Sequence, residues 1–194
     1  MSAQPRFRIP MPADGRWTHA DLDALRADIS YRAEIVDGNL IVSPAPHPWH
    51  IFAVRRLANA IEAAALPDAM AYSDAEIRWV EHGEDVRADR ALIPDVLVAP
   101  RRLVEENPSY VRPDDVQLVV EVESPSSKWY DRHVKPGLYA GLGISSMWRI
   151  ERGMTLVEYR LTPDGAAEIV QTVTGGKFQT DVPFPVTIDL DSLR

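Results

Sequence analysis

Apolar and polar positions along this chain follow two periods, and the switches between them mark the elements. Residues 1–16, rich in proline with scattered arginines, show neither period and read as an irregular arm. Thr18 can accept a hydrogen bond from a free amide of a first helical turn, with Asp21 three residues on as in a capping box. With Leu22 and Leu25 as its apolar stripe, this predicts a helix over 18–28. Residues 31–43 alternate around Asp37-Gly38, a hairpin signal. After the stiff loop of Pro44, Pro46 and Pro48, residues 50–65 place Ile51, Val54, Leu57, Ala58, Ile61 and Ala65 at helical spacing. Residues 70–82 read as a strand with Ile77, Trp79 and His82 on one face, followed by a polar loop.

Ile93 to Ala99 predicts a short apolar strand with Asp95 near its start, and Gln117 to Ser124 a central one. Residues 100–115 between them read as a charged loop with room for a helical turn. Trp129 to Leu142 predicts a helix ended by Gly141 and Gly143, in which Pro136 is tolerated only within a first turn, so that the regular part starts near His133. Strands follow at Ser146–Glu151, Thr155–Leu161 and Ala167–Thr174, with a Pro163-Asp164-Gly165 turn between the last two. Strands intermixed with helices predict an α/β (α+β) chain: a mixed central sheet flanked by helices, with an N-terminal β-hairpin. No repeat or linker interrupts residues 17–194, which read as one domain.

Two apolar strands carry acids, and an unpaired buried charge is costly, so those acids are candidates for chemistry. In strand 118–124, Val119, Glu121 and Glu123 share one face and Leu118, Val120 and Val122 the other. Asp95 repeats the arrangement in PDVLVA. Asp131 and Lys135, four residues apart, share a helix face. Asp95 and Glu121 on neighbouring strands could hold a hard divalent cation, Mg²⁺ or Mn²⁺, with the Val122 carbonyl as third ligand. Such an ion generates hydroxide and stabilises charge on a phosphodiester under attack, and a nearby ammonium, Lys135, can assist the water. Each residue taken singly also has a plainer reading: Asp95 ending a loop, Glu121 on a solvated edge, Lys135 on a solvated helix face. His47 and His50 suggest a metal pair, but the prolines around them favour a loop and helix start. Ser124, Ser126 and Ser127 read as a turn and helix cap, without the elbow of a serine nucleophile. Trp129, Tyr130 and Tyr139 could stack on bases or pack between helix and sheet.

Composition changes this picture in three places. The absence of cysteine removes disulfides, thiolate nucleophiles and zinc-thiolate sites, which fits a cytoplasmic chain. No apolar run reaches the length of a membrane span, nor does the N-terminus show a secretory core. The net charge of −8 weighs against nucleic acid, although metal-binding carboxylates contribute to that sum. Arg55, Arg56, Arg101, Arg102, Arg132 and Lys135 could form a basic patch or be dispersed.

The stretches EIVDGNLIVSPAP with His50 after it, IPDVLVAP, LVVEVESPSS, DRHVKPGLYAGLGI and MWRIE, in this order and spacing, resemble the Uma-two-type putative restriction endonucleases, a branch of the PD-(D/E)XK nuclease superfamily. The resemblance runs from the Thr18 helix to the final IDL. It implies a restriction-endonuclease-like fold and a metal-dependent DNA endonuclease. It implies that Asp95 and Glu121 ligate the metal, that Glu34 is an additional acid of the site, and that Lys135 supplies the lysine. The superfamily's usual lysine position, two residues after Glu121, holds Glu123 instead. That extra acid could pair with Lys135, bind a second ion or hinder DNA. With the acidic net charge, it motivates an alternative, a catalytically inactive nuclease fold serving as an interaction or structural module. Cutting both strands of a duplex would favour a homodimer.

Overall fold

The Asp37-Gly38 pair makes the turn its chemistry asks for. Both residues have positive φ, 49° and 76°, which two-residue type I′ hairpins require. The computed structural model describes residues 9, 11–28, 32–64, 66, 68–79, 90–162 and 164–194. Parts of the sequence expectations lie outside the described residues: most of the N-terminal arm, Tyr31, Ala65, Pro67, Pro163, and residues 80–89 with His82 and most of the polar loop.

In chain order the elements are α1 (His19–Asp28), β1 (Arg32–Val36), β2 (Asn39–Ser43), α2 (Pro48–Glu62), β3 (Ala69–Ser73), β4 (Ile77–Trp79), β5 (Arg90–Leu92) and β6 (Val96–Pro100). They continue with α3 (Leu103–Glu106), β7 (Leu118–Val122), α4 (Lys128–His133), α5 (Lys135–Gly141), β8 (Ser146–Glu151), β9 (Thr155–Leu161), β10 (Ala167–Thr174), β11 (Lys177–Thr180) and β12 (Val186–Asp189). The chain divides into two compact units, Met1–Ala45 with Trp79–Leu92, and Pro46–Arg78 with Ile93–Arg194.

In the first unit β1 pairs antiparallel with both β2 and β5. The Thr18 N–H donates to Asp21 Oδ2 at 2.9 Å and the Asp21 N–H donates back to Thr18 Oγ1 at 3.3 Å, a capping box that starts α1 where the sequence places it. Trp17, Leu22 and Leu25 then pack on Ala33, Ile35 and Ala91.

The second unit is built on a six-stranded sheet in the order β10-β9-β8-β7-β6-β3. Its pairs are antiparallel except β7 with β8, which run parallel. A parallel pair needs a crossover connection, and α4 and α5 are that crossover. On one face, α2 lays Ala53, Val54, Leu57 and Ile61 against Val96, Val98, Leu118, Val120, Val122 and Ile150. On the other, Tyr139 of α5 reaches Glu121 of β7. The sheet is therefore mixed and flanked by helices, as the order of elements predicts.

Four boundaries differ from the sequence reading, each for a local reason. Helix α2 starts at Pro48, because proline suits a first helical turn, and Ile51 stands 55% exposed rather than in the core. The strand expected over 70–82 is broken into β3 and β4 at Asp74, whose φ is +55°. The helix expected over 129–142 breaks at Val134 (φ −114°, ψ −55°), because Pro136 lacks the amide that would continue the helix. Its ring instead occupies the first turn of α5. Residues 100–115 contain α3 and a 3₁₀ turn at Pro113–Asp115.

The hairpin β11–β12 has no strong sequence signal and was not expected. It closes the α2 side: Phe178 of β11 meets Trp148 edge-on at 5.2 Å, and Phe184 meets the same ring at 6.3 Å. Phe178→Ala should lower the unfolding free energy by about 3–5 kcal/mol in urea denaturation. A loss under about 1 kcal/mol would show that this hairpin does not seal the core.

Candidate active site

The register of β6 on β7 decides which acids meet. Val96 stands opposite Val120 and Leu97 opposite Val119, so antiparallel continuation brings Asp95, one residue before β6, beside Glu121. The alternation of β7 then sends Glu121 to the α5 side, away from the α2 core. Both are buried, Glu121 at 1% exposure. Neither plain reading holds, since β7 is an interior strand of the sheet and Asp95 folds back onto it.

Asp95 is oriented by two groups. The backbone N–H of Val122 donates to its Oδ2 at 2.7 Å, and His50 Nε2 lies 3.1 Å from the same atom. Buried His50, on the first turn of α2, thus stands at the helix start and beside the site, where the sequence reading put it without naming its partner. Exposed His47 is the N-cap residue of α2, and His50 is buried against Asp95. The residue Val122, whose carbonyl was read as a third ligand, has its main chain against Asp95 through that same N–H.

Glu121 is held from α5. Tyr139 O–H donates to its Oε1 at 2.5 Å, and Lys135 Nζ lies 2.8 Å from the same oxygen. Lys135 and Tyr139 are four residues apart, hence on one face. The break at Val134 leaves Lys135 within 3.4 Å of Asp131 Oδ1, so the pairing read from the spacing survives a helix that does not. Ser127 Oγ–H donates to Asp131 Oδ2 at 2.5 Å. Ser127 occupies the N-cap position of α4, but its hydroxyl is spent on Asp131 rather than on capping. The serine turn itself is closed by the Ser127 N–H donating to Ser124 Oγ at 3.1 Å. Burial pushes the Asp131 carboxyl above the usual range; Lys135 and the Ser127 hydroxyl oppose this, and Asp95 adds to it.

Glu123 does not pair with Lys135. It takes a bidentate pair from Arg132 of α4, with Nη2 donating to Oε2 at 2.9 Å, and Arg149 Nε of β8 lies 3.0 Å from Oε1. The bonds to Glu123 hold Arg132 still more firmly in its charged form. Glu151 joins them, 2.8 Å from Arg132 Nη2 and 2.9 Å from Arg149 Nη2. The extra acid at the superfamily's lysine position is thus neutralised by two arginines. Tyr139 is fully buried as packing predicts, whereas Trp129 is 68% exposed. Glu34 lies buried on β1 of the first unit, opposite Ile41.

Among the described residues no group of three or more histidine, aspartate or glutamate side chains is gathered to hold a metal ion. The donor set still suits a hard divalent cation, which takes one or two carboxylates from protein and completes its shell with water and substrate. If ionised, Asp95, Glu121 and Asp131 carry three negative charges against the single positive charge of Lys135. A divalent ion brings charge of the sign that such a group of acids would accept. Asp131 is drawn off to Lys135 and Ser127, which leaves Asp95 and Glu121 as the pair.

A family model described as Uma2, putative restriction endonuclease, matches residues 20–191. Among solved structures, the chain is similar to a putative nuclease of the DUF820 group from Anabaena variabilis, with a TM-score of 0.65 at 17% identity, covering 89% of this chain and 96% of that one. No curated protein matches. At that identity the structural likeness speaks for the fold alone, and the fold is nuclease-like. No helix among the described residues is long and apolar enough to cross a membrane.

The raised Asp131 has a consequence for stability. The folded state holds the proton to higher pH than the unfolded chain, so this group's contribution to stability is full below its ordinary value of about 4 and falls as pH rises through its folded value. Asp131→Asn should remove that part of the slope. In denaturant titrations from pH 4 to 7, the variant should gain relative to wild type as pH rises; a difference constant with pH would count against a buried, raised carboxyl.

Proposed function

The chain belongs to the Uma2 family of putative restriction endonucleases, and we propose that it is a metal-dependent endonuclease hydrolysing DNA phosphodiester bonds. The observation that carries this reading is the convergence of three groups from three elements. Asp95 before β6, Glu121 on β7 and Lys135 on α5 come together at the end of one sheet, with Lys135 Nζ 2.8 Å from Glu121 Oε1.

In this reading Asp95, Glu121 and the Val122 carbonyl hold Mg²⁺ or Mn²⁺. The bound ion would lower the pKa of a water and offset charge developing on the phosphate. The chain's own residues do the rest. The Val122 N–H and His50 fix the Asp95 carboxylate, and Tyr139 fixes that of Glu121. Lys135, 2.8 Å from Glu121 and 3.4 Å from Asp131, would place its amino group beside the attacking water and the phosphate oxygens. The resemblance adds Glu34 as a further acid, and its burial on β1 suits a role other than surface solvation. The alternative of an inactive module drew on the net charge of −8 and on Glu123; the pairing of Glu123 with Arg132 and Arg149 weakens the second of these grounds.

Purified protein should cleave DNA in Mg²⁺ or Mn²⁺ and lose cleavage in chelator. Asp95→Asn should abolish it and Lys135→Ala should lower it by about 10²–10⁴-fold, with folding verified by circular dichroism. Glu34→Gln tests the residue carried over from the family. Cleavage by both Asp95→Asn and Lys135→Ala at the wild-type rate would overturn the proposal.

A further inference from the structure

Beside the carboxylate site lies a cleft of about 840 Å³ that the chemistry above does not use. It is lined by Trp49 and His50 from α2, by Glu123, Lys128 and Arg132 around the start of the crossover, and by Glu151 and Arg152 at the end of β8, among others. His50 faces this cleft and touches Asp95, so the cleft opens next to the acids.

Its charge is unlike that of the chain. Glu123 and Glu151 each spend their charge on Arg132 and Arg149. Lys128 and Arg152, exposed on the rim, have no ion-pair partner among the described residues. A rim with unspent positive charge on a chain of net charge −8 suits a polyanion.

The neighbouring row of α4 adds an aromatic group. Lys128 and Arg132 line the cleft, and one position round the helix stand Trp129 and His133, their rings 5.6 Å apart. Trp129, at 68% exposure, is the most exposed aromatic side chain among the described residues and packs into no core cluster. A solvent-facing indole on the helix that also carries the unspent Lys128 supplies both parts of single-strand binding, a face on which unpaired bases stack and a charge for their phosphates. In a duplex the base faces are already stacked on one another and closed to it. The volume agrees, because it falls within the roughly 300–1,000 Å³ of small-ligand pockets, which accommodates nucleotides of a single strand.

We infer that the cleft and the adjoining face of α4 bind an unpaired DNA strand, with Trp129 as the stacking platform and Lys128 and Arg152 on the phosphates, so that the substrate is single-stranded or frayed DNA rather than intact duplex. This rests on the nuclease reading for its link to cleavage but is tested by binding alone. Full-length protein in chelator is titrated with a fluorescein-labelled single-stranded 12-mer and with the blunt duplex of the same sequence, following anisotropy and tryptophan emission. The single strand should bind about tenfold tighter or better and quench emission. Trp129→Ala should weaken single-strand binding by about 5- to 150-fold, the value of one stacked base, and abolish most of the quenching. Lys128→Glu with Arg152→Glu should reduce the salt slope by at least about 1.4, two single-strand phosphate contacts. Equal affinity for duplex and single strand, or wild-type binding by Trp129→Ala, overturns the inference even if duplex is cleaved with metal. Single-strand binding lost in Trp129→Ala supports it, and absence of cleavage in Mg²⁺ or Mn²⁺ would then overturn only the nuclease reading.

Discussion

Charge buried in low dielectric must be compensated, and Asp95, Glu121 and Asp131 are buried together around one ammonium. Much of the second unit's local structure serves that compensation. The Val122 amide and His50 turn toward Asp95, the Tyr139 hydroxyl and Lys135 toward Glu121, and the Ser127 hydroxyl toward Asp131. Even so the compensation is incomplete for Asp131, whose carboxyl is pushed up chiefly by its burial and secondarily by the Asp95 charge, against the pull of Lys135 and Ser127. A packed interior that only needed stability would place apolar side chains here, since exchanging a buried ionic group for well-packed hydrophobic residues is often neutral or stabilising. Ionic groups kept in the interior at that cost point to a role in chemistry more than in stability.

The topology explains why these groups can meet. A parallel β7–β8 pair obliges the chain to cross the sheet, and the crossover passes over the Glu121 side of β7. Pro136 breaks the crossover at Val134, and the break has a use. It lets α4 turn Arg132 toward Glu123 while α5 turns Lys135 and Tyr139 toward Glu121. Two acids two residues apart on one strand face are thereby given to different cations. The position two residues after Glu121 holds an acid paired to arginines, and the lysine nearest Glu121 comes from the helix.

Much of this was legible in the sequence. The Asp37-Gly38 turn, the capping box and the β8, β9 and β10 boundaries follow from local chemistry, because φ, caps and alternation are set by neighbouring residues. Glu121 stood out because a carboxylate in VVEVE has few cheap explanations. What was not legible depended on contacts distant in sequence. The approach of His50 to Asp95 spans 45 residues and has no periodic signature. The partners of Glu123 lie on α4 and β8, so the sequence left its pairing open. Hairpin β11–β12 is short and polar on its outer face, and only the aromatic contacts of Phe178 reveal it as part of the core.

Trp129 and Tyr139 show how the same ambiguity resolves in opposite directions. Both sit in the crossover and both admit stacking or packing from sequence. Tyr139, on α5, faces the sheet and spends its hydroxyl on a carboxylate; Trp129, on α4, faces solvent beside cations. An exposed indole forgoes the burial of a large apolar surface, worth about 25 cal/mol per Å². The fold of the described residues therefore leaves most of that surface unused, apart from the ring contact with His133. The two rings differ because the break at Val134 separates α4 from α5, so that positions ten apart in sequence are given different surroundings.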